Sequence, residues 1–181
     1  YPYNIVESLA SEEVCAQLPR DLPLITNVSV EATDVATGKI RIAWSKPVGG
    51  ELDTVINHGP YRYQLLRAPG FTGGVFTELP GASFVSNTFW EANDTIYEFD
   101  ENLNTVDGPY RYKVDFYVKG NLLLGSTRDA SSLFLTVAST DQTNILSWEA
   151  NVPWSNYDYK IFRKNDVTGL FDPIGNLATK K

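Results

Sequence analysis

The chain has 181 residues, of which 43% are hydrophobic, and its 22 acidic and 15 basic side chains give a formal net charge of −7. An apolar share of this size can fill a core, which excludes a wholly disordered chain, and the length allows one complete domain and part of a second. The negative charge repels phosphate groups, so nucleic acid and anionic membranes are disfavoured as partners. No apolar stretch approaches the roughly 18 residues of a membrane span, and we expect no such span.

Apolar and polar residues alternate with a period of two along most of the chain, which predicts half-buried strands. The earliest strand is indicated around Val28 and Val30, and the next places Ile40, Ile42 and Trp44 on one face. Further segments of this type are residues 61–67, 95–99, 110–118, 143–148 and 157–163.

Turn-forming pairs separate these segments, among them Pro69-Gly70 and Gly73-Gly74. No helical crossover lies between the strands, and parallel strands would need one, so a doubly wound α/β fold is excluded. Short strands joined by such turns are typical of antiparallel sandwiches. The sequence therefore predicts an all-β antiparallel sandwich.

The sequence Gly-Pro-Tyr-Arg-Tyr occurs at 59–63 and again at 108–112. This spacing is too short for two sandwich domains of about 100 residues each, and the residues that follow the two copies differ. Each proline restricts the chain before a strand, and the alternate tyrosines are expected to pack inward. The motif is therefore one local structure used twice.

A true domain repeat is indicated by more distant segments. Residues 61–67 (YRYQLLR) align with residues 157–163 (YDYKIFR), and upstream of them Trp44 aligns with Trp148. The sequence thus predicts a complete module at 22–130 and the first, truncated half of a second module at 131–181. Half a sandwich leaves its inner face uncovered, so we expect either that the chain continues or that another chain completes the sheet.

The repeated unit resembles a fibronectin type III module. The resemblance rests on Trp44 and Trp148 at the ends of their strands, and on Leu103 followed by Tyr112-Lys113-Val114-Asp115-Phe116. It implies immunoglobulin-like sandwich modules in tandem, with Trp44, Tyr112 and Trp148 in the core. Tyr112 would be the tyrosine-corner residue, its hydroxyl bonded to the preceding turn. The strands that begin with the two Gly-Pro-Tyr-Arg-Tyr copies would be antiparallel neighbours.

A narrower resemblance is to large exported proteins of Bacteroidota associated with gliding motility and type IX secretion. It rests on residues 15–30 (CAQLPRDLPLITNVSV), 40–47 and 151–154, which are similar to linker and strand segments of those proteins. It implies that residues 1–21 are the end of a preceding module plus a linker, on an extracellular or outer-membrane surface. Cys15, the only cysteine, would then pair with sequence outside the chain; the alternative is a buried free thiol.

Asp53-Thr54-Val55 and Asp94-Thr95-Ile96 match a three-residue pattern that resembles the O-glycosylation signal of these exported proteins. Thr54 and Thr95 are therefore candidate glycosylation sites, because both lie in or beside loops where a glycan would meet solvent. A pattern this short also arises by coincidence.

The segment 83–94 is an unusual insertion that holds Phe84, Phe89 and Trp90. Exposed aromatic rings stack on sugars or anchor protein partners, which makes these three residues candidate contacts. The alternative is that they cover one open end of the sandwich.

No catalytic or metal-binding pattern stands out, and we expect neither enzyme activity nor a cofactor. His58 is the only histidine, which leaves no convincing triad or histidine-rich metal site. We expect a structural, adhesive or docking segment whose partners are other modules of the same long chain and proteins at the cell surface. The alternative is a glycan-binding or accessory segment of a secreted enzyme whose catalytic domain lies elsewhere.

Overall fold

The computed structural model describes residues 22–47, 52–89, 95–155 and 158–178. Within these ranges the regular secondary structure consists of β-strands only. The strands are β1 (Leu24–Ala32), β2 (Gly38–Ser45), β3 (Tyr61–Pro69), β4 (Thr77–Ser86), β5 (Thr95–Leu103), β6 (Tyr110–Val118), β7 (Leu122–Ser126), β8 (Ala130–Ser131), β9 (Phe134–Thr140), β10 (Thr143–Glu149), β11 (Asp158–Lys164) and β12 (Phe171–Ala178).

The strands of residues 22–131, the first unit, form two antiparallel sheets. One has the order β1-β2-β5 and the other β4-β3-β6-β7, with β8 adding to β6. Every strand pair is antiparallel. The prediction of an all-β antiparallel fold is confirmed, and the arrangement is consistent with a β-sandwich.

The core of the first unit lies between its two sheets. Ile40, Ile42 and Trp44 alternate along β2, and each has at most 1% of its surface exposed. The Trp44 ring lies 5.1 Å from that of Tyr63 on the opposite sheet, and Phe116 stacks on Tyr63 at 4.8 Å. Removing these large apolar surfaces from water is the main stabilising term of the unit.

The two Gly-Pro-Tyr-Arg-Tyr copies begin β3 and β6, which pair antiparallel as predicted. The carbonyl of Pro60 accepts a hydrogen bond from the N–H of Gly120 at 2.9 Å, and that of Pro109 accepts one from Gly70 at 2.8 Å. Each proline therefore begins one strand and closes the end of the other. Gly70 and Gly120 have φ values of 78° and 82°, which glycine adopts without steric cost.

A buried polar cluster connects the two sheets. Asp100 on β5 is 3% exposed and accepts hydrogen bonds from Arg67 Nη1 at 2.8 and 2.9 Å and from the Tyr112 hydroxyl at 2.8 Å. The Tyr112 hydroxyl therefore donates to Asp100 on β5, and the expected bond to the preceding turn is wrong. Burial, and next the charge of Asp100, raise the pKa of Tyr112, so its hydroxyl remains a donor.

The strands of residues 134–178, the second unit, form two hairpins, β9–β10 and β11–β12. The same pairing joins β1 to β2 and β3 to β4 in the first unit. The rings of Trp148 and Tyr159 lie 5.3 Å apart, as those of Trp44 and Tyr63 lie 5.1 Å apart. The sequence repeat is therefore also a repeat of strand pairing and of one inter-strand ring contact.

Candidate docking face

The second unit presents an uncovered apolar surface, which we call the open face. It is a groove of about 650 Å³ between the two hairpins. Its lining includes Leu133, Leu135, Leu146, Trp148, Tyr159, Ile161, Arg163 and Ile174. The apolar side chains line one groove because residues two apart on a strand point to the same side of the sheet.

Exposure distinguishes this surface from its counterpart in the first unit. Trp44 and Tyr63 are each 1% exposed, whereas Trp148 is only half-buried and Leu135 and Ile174 are 51% and 57% exposed. In the first unit β2 also pairs with β5 and β3 also pairs with β6, and Phe116 of β6 stacks on Tyr63. Large contiguous apolar patches of this kind mark interaction sites on soluble proteins.

Arg163 gives the open face a positive charge at one end. The repeat makes it the counterpart of Arg67, whose guanidinium is paired with Asp100. Arg163 lines the groove, and no acidic group among the described residues forms an ion pair with it. The open face therefore combines apolar side chains with one cation, Arg163, whose cross-strand neighbour in the β11–β12 register is the acid Asp172.

The junction between the units is formed by residues 150–154, which connect β10 to β11. Asn151 and Ser131 bond twice, from the Ser131 N–H to the Asn151 carbonyl and from the Asn151 N–H to Ser131 Oγ, both at 2.7 Å. Asn151 Nδ2 also donates to the Phe71 carbonyl at 3.3 Å. Val152 and Trp154 pack against the core of the first unit, so the junction is both hydrogen-bonded and apolar.

The candidate contact aromatics lie against the core. Phe89 is 7% exposed and its ring is 5.3 Å from that of Tyr61, while half-buried Phe84 is 6.0 Å from Tyr63. These positions favour the covering role over a role in partner binding. Phe84 belongs to β4, so the predicted insertion begins inside a strand. Trp90 lies outside the described residues.

The two glycosylation candidates have different surroundings. Thr95 is exposed at the start of β5, whereas Thr54 is half-buried in a turn. In that turn, Asp53 Oδ1 accepts hydrogen bonds from the N–H groups of Val55 at 2.9 Å and Ile56 at 3.1 Å. The aspartate of this motif therefore has a structural role of its own. Glycosylation of both threonines stays a prediction, and Cys15 and residues 1–21 lie outside the described residues.

Sequence reasoning missed two exposed aromatics on β5. Tyr97 and Phe99 are 58% and 49% exposed on the outer face of this strand, which pairs only with β2 among the described residues. Lys39 Nζ lies 4.4 Å from the centre of the Phe99 ring. The alternation Tyr-Glu-Phe-Asp suggests that the aromatics point inward, but the bonds to Asp100 fix the opposite orientation. The outward orientation of Tyr97 and Phe99 becomes clear only from the positions of Arg67 and Tyr112, which bond to Asp100.

The comparisons with known proteins identify no family for this chain. Neither the scan against protein-family models nor the searches of curated proteins and of solved structures returned a match. Over the described ranges, no three His, Cys, Asp or Glu side chains are grouped as metal ligands. In the same ranges no helix is long and apolar enough to cross a bilayer.

Proposed function

We propose that this chain is a non-enzymatic structural and docking segment of a large modular protein of the cell surface, built from fibronectin type III-like units. The strand orders β1-β2-β5 and β4-β3-β6-β7 and the repeated ring contact of Trp44 with Tyr63 support this assignment. The main support for this proposal is the junction at residues 150–154. A segment that spaces or displays other domains of a protein must hold its own units in one relative orientation.

The junction contacts supply such an orientation. Three hydrogen bonds of Asn151, each contributing about 1 kcal/mol, act together with the packing of Val152 and Trp154 on the first unit. Interfaces between units that lack such contacts usually allow relative motion. A fixed pair of units suits an adhesion, motility or secretion assembly, in which neighbouring modules of one long exported chain present their surfaces to partner proteins.

The experiment compares the orientation of the two units in the full chain and in a double variant, Asn151→Ala with Trp154→Ala, by NMR residual dipolar couplings. We expect one alignment tensor to fit both units of the parent chain and two different tensors to be needed for the variant. Asn121→Ala, in the exposed turn between β6 and β7, is the matched control and should behave as the parent. Separate tensors in the parent chain would contradict the proposed function.

A second candidate function is glycan binding, as an accessory segment of a secreted enzyme. The observation that favours it is the exposed pair Tyr97 and Phe99 on the outer face of β5, where aromatic rings can stack on sugars. Affinity electrophoresis of the chain through gels that contain soluble polysaccharides tests it. Retardation that is lost in Tyr97→Ala and Phe99→Ala but kept in Val137→Ala would favour this function; equal mobility of all four proteins would reject it.

A further inference from the structure

The loop that connects β3 to β4, residues 70–76, has little regular structure of its own. Residues 72–75 are exposed, and three of the seven loop residues are glycines with φ values between 67° and 78°. Such glycines have many alternative conformations in the unfolded chain, so a loop of this composition is ordered only where other groups hold it. Among the described residues, the side chains that donate hydrogen bonds to its carbonyl groups are Arg111 and Asn151.

Arg111 on β6 makes most of the contacts that hold this loop. Its guanidinium donates from Nη1 to the Phe71 carbonyl at 3.0 Å and from Nη2 to the Gly73 carbonyl. Its Nε faces the Asp129 carboxylate at 3.4 Å as an ion pair, and the centre of the Phe76 ring lies 4.9 Å from its Cζ. The planar fork of donors is suited to binding two carbonyl groups at once, which a lysine ammonium cannot do with the same geometry.

The burial of Arg111 makes these contacts important for the loop. The residue is 7% exposed, and a buried cation without partners is costly. Hydrogen bonds from a charged donor are also stronger than those between neutral groups. A displacement of the loop would remove two such bonds from the guanidinium, so the position of the loop is coupled to a buried charge of the first unit.

The Phe71 carbonyl connects Arg111 to the junction. This oxygen accepts hydrogen bonds from Arg111 Nη1 at 3.0 Å and from Asn151 Nδ2 at 3.3 Å. A carbonyl oxygen has two lone pairs and can serve both donors. Because Arg111 holds the loop, it also determines where this oxygen is available to the side chain of Asn151.

The main chain of Arg111 leads to the same asparagine. Arg111 lies opposite Ser131 in the pairing of β6 with β8, and Ser131 exchanges two hydrogen bonds of 2.7 Å with Asn151. The side chain and the main chain of one residue therefore both lead to the contacts that connect the second unit to the first.

We propose that Arg111 is the positioning residue of the junction: its guanidinium holds the loop 70–76 so that the Phe71 carbonyl meets Asn151, and the second unit thereby keeps one orientation relative to the first. This inference rests on the spacing function proposed above. It names a residue outside the junction that controls the orientation.

The experiment measures NMR residual dipolar couplings of the full 181-residue chain in Arg111→Gln, which removes both the charge and the fork of donors. We expect the two units of this variant to need two different alignment tensors, whereas one tensor fits the parent. Arg62→Gln is the matched control and should keep one tensor. Arg62 lies on the same sheet, stacks on Tyr117 at 3.8 Å and bonds to Gln64 at 2.9 Å, without a contact to the junction.

A second variant separates positioning from a general effect on stability. Val114→Ala changes a fully buried residue of the same strand, so it should lower the urea midpoint of the first unit and still keep one tensor. One tensor in folded Arg111→Gln would overturn the proposal. Two tensors in Val114→Ala would also overturn it, because the orientation would then follow the stability of the first unit rather than Arg111.

A measurement on the parent chain tests the proposal without any substitution. A guanidinium held at two carbonyl groups rotates slowly about its Cζ–Nη bonds, so Arg111 should give separate resonances for its Nη1 and Nη2 groups at low temperature. Arg128, which is exposed, should give averaged resonances under the same conditions. Averaged resonances from Arg111 would overturn the proposal even if Arg111→Gln did not fold.

The outcomes for this inference and for the proposed function are distinct. Two tensors in the parent chain would reject the spacing function and the role of Arg111 with it. One tensor in both the parent and Arg111→Gln would reject the role of Arg111 alone and leave the spacing function in place.

Discussion

Asp100 is the residue on which the charge pattern of the first unit depends. Its carboxylate is 3% exposed and is bonded to Arg67 and Tyr112, which belong to the opposite sheet. A buried acid with charged and hydroxyl partners contributes little net stability, yet losing one partner is costly because the others remain buried without it. The cluster therefore specifies how the sheets fit together more than it adds to their stability.

Substitutions in this cluster should differ in cost. We expect Tyr112→Phe to lower the free energy of unfolding by about 1–2 kcal/mol, since it removes one hydrogen bond to a charged group, and Asp100→Ala to lower it by about 3 kcal/mol, since Arg67 loses its counter-charge. Urea denaturation of each variant measures both values. Tyr117→Phe, on the outer face beside Arg62, is the control and should change stability by less than about 0.5 kcal/mol. Equal costs for Tyr112→Phe and Tyr117→Phe would contradict the assigned bond.

Glu98 should make stability depend on pH in a definite direction. Burial raises the pKa of this half-buried carboxyl above its ordinary value of 4.5. A raised pKa in the folded state means that stability is fully present below the unfolded pKa and is lost as pH rises through the folded one. We therefore expect Glu98→Gln to raise Tm at pH 7 and to have no effect at about pH 3.5. Glu149→Gln, at an exposed position, should show neither change; a lower Tm for Glu98→Gln at pH 7 would refute the direction.

At the scale of elements, the sequence predicted where most strands lie, but it did not predict for every strand which side chains point toward the core. Period-two alternation indicated β2, β3, β5 and β6, and the pairing of β3 with β6 is as predicted. For β5 the alternation predicted the strand but not which face is buried; Tyr97 and Phe99 point outward and Asp100 points inward. It also missed most of β4, whose residues 77–86 contain a proline and a glycine and show no clear alternation. Long-range partners decide such segments, and a single sequence does not display them.

The matched turns after β3 and β6 allow a direct test of backbone strain. Gly120 has a φ of 82°, and a Cβ atom there would meet only Pro60 Cγ at 3.8 Å, an ordinary contact. The cost of Gly120→Ala therefore comes from the backbone conformation alone, and we expect a loss of about 1 kcal/mol by chemical denaturation. Gly108→Ala, where φ is ordinary and no atom lies within 4 Å, should cost less than half as much. Equal losses would mean that the turn changes its conformation.

At the scale of the whole molecule, the two tryptophans of the repeat report how far each unit is covered. We expect Trp44→Ala to cost about 3–5 kcal/mol, because the ring is 1% exposed, and Trp148→Ala to cost about 1–2 kcal/mol, because the ring is only half-buried. Chemical denaturation followed separately in each unit by NMR measures both. A cost for Trp148→Ala that equals the cost for Trp44→Ala would show that the open face is already covered in solution.

The candidate site was only partly accessible to sequence reasoning. The repeat revealed that the second unit has an uncovered inner face and that Arg163 corresponds to Arg67. The role of Asp100 as the partner of Arg67 was not visible, since 33 residues and a change of sheet separate them.

Two hydrogen bonds, from Gly120 to Pro60 and from Gly70 to Pro109, hold the ends of β3 and β6 together and affect how the molecule unfolds. These two strands are central in their sheet and are tied at each end, so their amide hydrogens can exchange with solvent only when the first unit unfolds as a whole. The hairpins of the second unit have no such protection and can release their amides by local fraying. Deuterium uptake should therefore begin in β9–β12 and reach β3 and β6 last, so the first unit would act as the rigid support and the second as the adaptable part.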